Sequence, residues 1–206
     1  MIRIDKKKIY QVGDYAFKNF IILDENEIKM VWTWRNDERI RKWMSNNDEI
    51  PFNNHLKFID SLQNRDDKFY WLVYKNDNPI AVLDIIDVDY EVEVTEPGYY
   101  LNPNLLNSGE GLFFNFYFRN FLFNLLGFKY VKGNIKIGND RAYTLSTFFG
   151  VNAVGIDTLE DGEHLIMRGS KEDFNKVTEK GLLKSFVRFS KNLVINWDDI
   201  VNKFSK

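Results

Sequence analysis

The chain has 206 residues, a net charge of −2 and no cysteine, with 44% hydrophobic and 16% aromatic residues. That is enough for one ordinary globular domain with a sizeable core. The balance excludes disulfides, a thiolate nucleophile and cysteine zinc sites, gives no electrostatic reason to bind nucleic acid or an anionic membrane, and is compatible with the cytoplasm.

Residues 1–14 form a short basic lead-in, Lys6-Lys7-Lys8, with a short strand over 9–12 and no apolar stretch of the signal-peptide kind. The first firm strand lies over 15–23, rich in aromatic and β-branched residues. A helix follows over 25–45. Asp24 caps it, Glu25 and Glu27 suit its first turn, and a break falls near Asn36-Asp37. Its run Trp32-Thr33-Trp34-Arg35 through Trp43-Met44 has two readings: an amphipathic helix packed on a sheet, or a substrate wall of tryptophan and arginine. A second helix over 55–64 starts after Pro51, with Asn53 or Asn54 as cap and His55 in its first turn. Residues 69–74 and 79–89 form a hairpin across Lys75-Asn76-Asp77-Asn78. Asp84, Asp87 and Asp89 read as a solvated acidic strand end, with the alternative that they hold a cationic amine. A further strand covers 91–101.

The turn Ser108-Gly109-Glu110-Gly111 then opens directly into a strongly apolar helix, 112–126. Main-chain N–H groups at such a turn are free and point outward, and the helix end adds partial positive charge. That makes an anion site, best suited to a phosphate or pyrophosphate. A strand over 130–137 and a helix beginning near Asn139 follow. The pair of strands around Glu160-Asp161-Gly162 is a hairpin. The tail, 177–206, carries helices over 181–189 and 198–204. Its apolar residues Leu182, Leu183, Phe186, Phe189, Trp197 and Ile200 need a surface to cover, either this domain or a second copy in a homo-oligomer. Two histidines are too few for most His-rich metal sites, and no metal is expected.

The glycine turn after Gly98-Tyr99-Tyr100-Leu101, followed by Asn139-x-x-Ala142-x-x-Leu145 and Phe149-Gly150-Val151, resembles the acetyl-CoA-binding core of the GNAT acetyltransferases. The element order is similar too. It implies an α/β (α+β) fold with a mixed, largely antiparallel central sheet flanked by helices: a GNAT domain over 1–175 and a C-terminal helical extension over 176–206. Within that superfamily the runs 34–44, 55–59 and 69–73 and Gly98 to Pro103 resemble the nucleotide-sugar N-acetyltransferases of pseudaminic acid biosynthesis.

The resemblance implies an enzyme that moves acetyl from acetyl-CoA to the amine of a UDP-linked dideoxy-amino sugar by direct attack. In it, Ser108, Gly109, Glu110, Gly111 and Leu112 hold the pyrophosphate. Asn139 and Ala142 lie along the pantetheine arm, and Arg141 meets the adenosine 3′-phosphate. A main-chain N–H near Tyr100-Leu101 steadies the oxyanion. Trp34, Arg35, Arg39, Trp43 and Tyr99 face the acceptor. Ser146 stands where a tyrosine normally protonates the departing thiolate, with Tyr143 one turn away as a substitute. Glu96, His55 or an ordered water is the base. A peptide or protein amine is the alternative acceptor, and a CoA-binding module with reduced catalysis the alternative role.

Overall fold

The computed structural model describes residues 2, 4–179, 181 and 195–204. Among these, eight strands form one sheet in the order β1-β2-β3-β4-β5-β6-β8-β7. β1 (Tyr10–Val12) and β2 (Tyr15–Asn19) lead to α1 (Glu25–Asn36), α2 (Glu38–Arg41) and α3 (Phe52–Ser61). β3 (Phe69–Lys75), β4 (Asn78–Asp89) and β5 (Val94–Leu101) form an antiparallel meander. Then come α4 (Glu110–Asn120), β6 (Tyr130–Lys136), α5 (Asp140–Phe148), the hairpin β7 (Asn152–Leu159) and β8 (Gly162–Ser170), α6 (Lys171–Thr178) and α7 (Trp197–Asn202). This is the mixed, largely antiparallel architecture expected.

Local chemistry sets the boundaries. The Asp24 carboxylate accepts from the N–H groups of Asn26 and Glu27, and Glu27 reaches back to Asp24 N–H, a full capping box. The break foreseen near Asn36 is Asp37, at φ −60° and ψ 127°, which ends α1 and caps α2 by accepting from Arg39 N–H. The β3–β4 hairpin turns on Asn76 and Asp77, both at positive φ (46° and 62°), as the tightest hairpin loop requires. Neither Asn53 nor Asn54 caps α3. Pro51 occupies the cap position without a side-chain bond, so α3 starts earlier than its asparagines suggested. α6 had no expectation behind it, although Ser170 caps it through Asp173 N–H. The helix expected over 181–189 lies, apart from Gly181, outside the described residues. The one expected over 198–204 is α7, whose Trp197 and Ile200 pack against the main core.

The sheet buries both faces. On one, α4 and its π-helical continuation Phe121–Leu126 lay Phe121 against Phe17 and Trp71, with Phe114, Phe118 and Phe123 in the same cluster. Each such aromatic contributes roughly 1.5–3 kcal/mol of burial free energy. A helix this apolar on most sides is stable only when enclosed. On the other face, Val31 and Trp34 of α1 and Ile59 of α3 pack on Leu72 and Val82.

The sheet is nearly parted in the middle. β5 and β6 run parallel but pair only at Val94 with Tyr130 and Thr95 with Val131. Beyond Thr95 the two strands diverge. Pro97, which has no N–H to give, sits just past the last pair, where the β5 edge is open.

Candidate active site

A cleft of about 1130 Å³ occupies that divergence and continues across β5 toward α1–α3. Asn102 N–H donates to Ile80 C=O at 2.7 Å. Antiparallel bonding alternates along a strand, so Tyr99 and Leu101 turn their N–H groups toward the gap. Either is placed to steady an oxyanion there.

The glycine turn closes the far end. Gly109 has φ +85° and caps α4. A Cβ there would meet nothing within 4 Å, so backbone conformation rather than space calls for glycine. Five amides were expected to face the anion, and the structure divides them. Ser108 N–H donates to Leu105 C=O, Leu112 N–H to Gly109 C=O, and Glu110 N–H to Ser108 Oγ at 3.2 Å. The N–H groups of Gly109 and Gly111 find no acceptor among the described residues, so these two amides at the helix end are free to receive an anion. The Glu110 carboxylate is turned away, held by Lys75 Nζ at 2.8 Å and by the Tyr15 hydroxyl.

α5 forms the opposite wall. The Asn139 side-chain carbonyl caps it, accepting from Ala142 N–H at 3.2 Å, and Asn139, Ala142, Leu145 and Ser146 line the cleft. Arg141 is exposed and donates to the Asn107 side chain, tying α5 to the glycine turn. Tyr143 differs from its expected role. Its ring packs on Trp197, 5.4 Å between centroids, outside the cleft lining, so it does not stand in for the tyrosine that Ser146 replaces.

The acceptor side departs further from expectation. Trp34 is 7% exposed and belongs to the core with Phe20 and Leu72, so it is no substrate contact. Tyr99 turns its ring onto Phe114 and Phe118 of α4, and its hydroxyl accepts from Asn115 Nδ2 at 2.8 Å. Tyr100, one residue on, faces the α1–α3 side with Tyr70. Side-chain alternation sends the two rings to opposite faces of β5, and both residues line the cleft.

The Trp-Arg-Asn run mainly builds a loop. Asn36 exchanges two hydrogen bonds with Ile50, Nδ2 to C=O at 3.0 Å and N–H to Oδ1 at 2.8 Å. Trp32 Nε1 donates to Ile50 C=O, Arg35 to Asn46 C=O and Arg41 to Asn47 C=O. The clamped loop 42–50 presents Trp43, Met44 and Asn46 to the cleft, and Arg35 and Arg39 line it as well. Arg39 is held by Asp37 in a two-pronged exposed pair, 2.7 and 2.9 Å. Burial lowers the Arg35 guanidinium from its usual range, and its Nη1 has no partner.

Of the expected bases, His55 is buried and lines the cleft. Burial lowers its pKa, a bond to Ile28 C=O opposes this, and Nε2 has no partner. It is a neutral imidazole at neutral pH. Glu96 lies outside the cleft lining, against Gly133 at the foot of the divergence, and burial raises its carboxyl. Asp84, read from sequence as part of a solvated acidic strand end or as a holder of a cationic amine, lines the cleft, and Tyr70, which sequence reasoning passed over, lies beside it. The signal available was Asp84 inside a run of apolar strand residues.

Among the described residues no group of His, Asp and Glu is arranged to hold a metal, and no helix is long and apolar enough to cross a membrane. No protein-family model matches the chain. It is 32% identical over 126 residues to the acetyltransferase PseH of Campylobacter jejuni strain 81-176, a match covering 61% of this chain and 71% of that protein. The crystal structure of Campylobacter jejuni N-acetyltransferase PseH in complex with acetyl coenzyme A shares the fold, with TM-score 0.59, 23% identity, and coverage of 76% of this chain and 99% of that one. An uncharacterized Bacillus halodurans protein superimposes with TM-score 0.73 at 16% identity, covering 88% of this chain and all (100%) of the other. The chain therefore belongs to the PseH-like GNAT acetyltransferases and is an N-acetyltransferase that uses acetyl-CoA as its co-substrate.

Proposed function

We propose that the acceptor is the amino group of a UDP-linked amino-dideoxy sugar, and that transfer occurs by direct attack with both substrates bound. The observation that carries this reading is the single cleft joining the glycine turn to the α1–α3 wall. One substrate entering from each end would meet at the β5 edge, and such positioning accounts for much of an acyl transfer's acceleration. Trp43, Tyr70 and Tyr100 offer stacking faces for a uracil or sugar, and Arg35 and Arg39 suit a diphosphate.

On the donor side, Gly109 and Gly111 hold the pyrophosphate through N–H groups, with Ser108, Glu110 and Leu112 shaping the turn. Asn139 and Ala142 border the pantetheine arm, and Arg141 attracts the outer phosphate. The Leu101 N–H stabilises the oxyanion. Ser146 is a weak acid, but a CoA thiolate resembles a cysteine thiolate, with a pKa of about 8.5, and water can protonate it. The alkyl thiolate leaves without a dedicated acid.

Thiol release from acetyl-CoA tests the reading, with a panel of UDP-amino sugars set against N-terminal peptides. Preference for the UDP-amino sugars is expected. Turnover confined to peptides would overturn the acceptor assignment and leave the acetyltransferase intact.

A further inference from the structure

Asp84 lies directly across from Tyr70 on β3 and from Gly98 on β5, so the three share the sheet face beneath α1 and α3. A Cβ built on Gly98 would fall 2.8 Å from both carboxylate oxygens of Asp84. The missing side chain is what lets the carboxylate lie across β5, toward the edge where the strands part. It lines the cleft, and no described residue donates a hydrogen bond to it. Burial, with the Glu96 charge adding to it, pushes its carboxyl up to about 7. The titratable groups around it are Tyr70 from β3, Glu96 and Tyr100 from β5, and Lys68 just before β3. Arg35 of α1 acts on both tyrosines and on His55 of α3. A half-buried carboxylate without a hydrogen-bond partner lacks a cation, and none of these groups binds it directly.

We propose that Asp84 receives the acceptor's ammonium group and takes its proton, making it the general base of the transfer. This rests on the proposed function only in that the acceptor is an amine. One N–H bond of the ammonium breaks and an O–H bond forms on Asp84. The freed nitrogen lone pair attacks the thioester carbonyl, a C–N bond forms and the C–S bond breaks. The thiolate takes up the second proton lost from nitrogen, through water, and Asp84 returns its proton to solvent.

The test follows thiol release with a UDP-linked 4-amino-dideoxyhexose between about pH 6 and pH 9, for the native protein, Asp84→Asn and Asp84→Glu. The native kcat/KM should rise through neutral pH as the carboxyl ionises. Asp84→Asn should lower it about 100-fold and abolish that rise, with acetyl-CoA affinity unchanged, and Asp84→Glu should recover part. Without acetyl-CoA, calorimetry should show the native protein preferring the amino sugar over its 4-hydroxy counterpart, and Asp84→Asn losing that preference. The folded carboxyl titrates above its unfolded value of about 3.9, so it withdraws stability as pH rises toward 7. Asp84→Asn should therefore gain in Tm over the native protein at pH 8 relative to pH 5. An Asp84→Asn protein with near-native turnover and the same pH rise overturns the proposal. If the native protein acetylates a peptide or polyamine instead, the nucleotide-sugar reading falls, and the same variants on that amine decide Asp84. If no amine is acetylated and no amine preference is measured, both fall.

Discussion

The two ends of the cleft are built from different materials. The end proposed for the donor is made of backbone: two unbonded amides at Gly109 and Gly111, the capped start of α5, and a strand edge left open beyond Thr95. The end proposed for the acceptor is made of side chains on α1–α3, many of whose polar atoms are occupied in holding loop 42–50. Backbone recognition leaves a short, position-specific trace in sequence, because glycine is needed where φ is positive. Side-chain recognition depends on which way each residue points, and a run of tryptophan and arginine does not disclose that.

The largest test of this contrast is Trp34→Ala. A buried indole removed from the core beside Leu72 and Val82 should cost about 3–5 kcal/mol in denaturant unfolding. A substrate-stacking tryptophan would instead lose acceptor KM with little change in stability. Next is Asn36→Ala, which breaks both bonds to Ile50. Two such bonds contribute about 1–3 kcal/mol together. With loop 42–50 released, acceptor KM should rise while the acetyl-CoA Kd stays put; a shift in both would mean that the two ends are not separable. The smallest is Gly109→Ala. At φ +85° it should cost roughly 1–2 kcal/mol, read as weaker acetyl-CoA binding with acceptor affinity unchanged. An unaltered donor affinity would remove the glycine turn from the site.

Much of the framework was legible in advance, for reasons that particular residues make plain. Asp24 with Glu27, Asp37, and Asn76-Asp77 each act on the chain within a few positions, so the α1 start, the α1–α2 break and the β3–β4 turn could be read locally. The glycine turn and the Asn139 cap were legible for the same reason. Asp84 was legible only as two readings, a solvated strand end or a holder of an amine, because the choice between them depends on Gly98, fourteen residues away and paired only once the sheet forms. Which of Tyr99 and Tyr100 faces α1–α3 was not legible, because adjacent strand residues alternate and the register that fixes the alternation is tertiary. Residues 42–45 were read as the end of a helix over 25–45, whereas α2 stops at Arg41 and a loop follows, since hydrogen bonds from Trp32, Arg35, Asn36 and Arg41 to the loop's carbonyls carry no periodic signature.

The narrow join between β5 and β6 also bears on mechanics. Two residue pairs connect a five-stranded half-sheet to a three-stranded one, and the rest of the bond between the halves passes through the aromatic layer under α4. The backbone thus joins the two plates along a short seam only. An acyl donor bound across that opening, as proposed above, would add its binding free energy to the protein's resistance to unfolding.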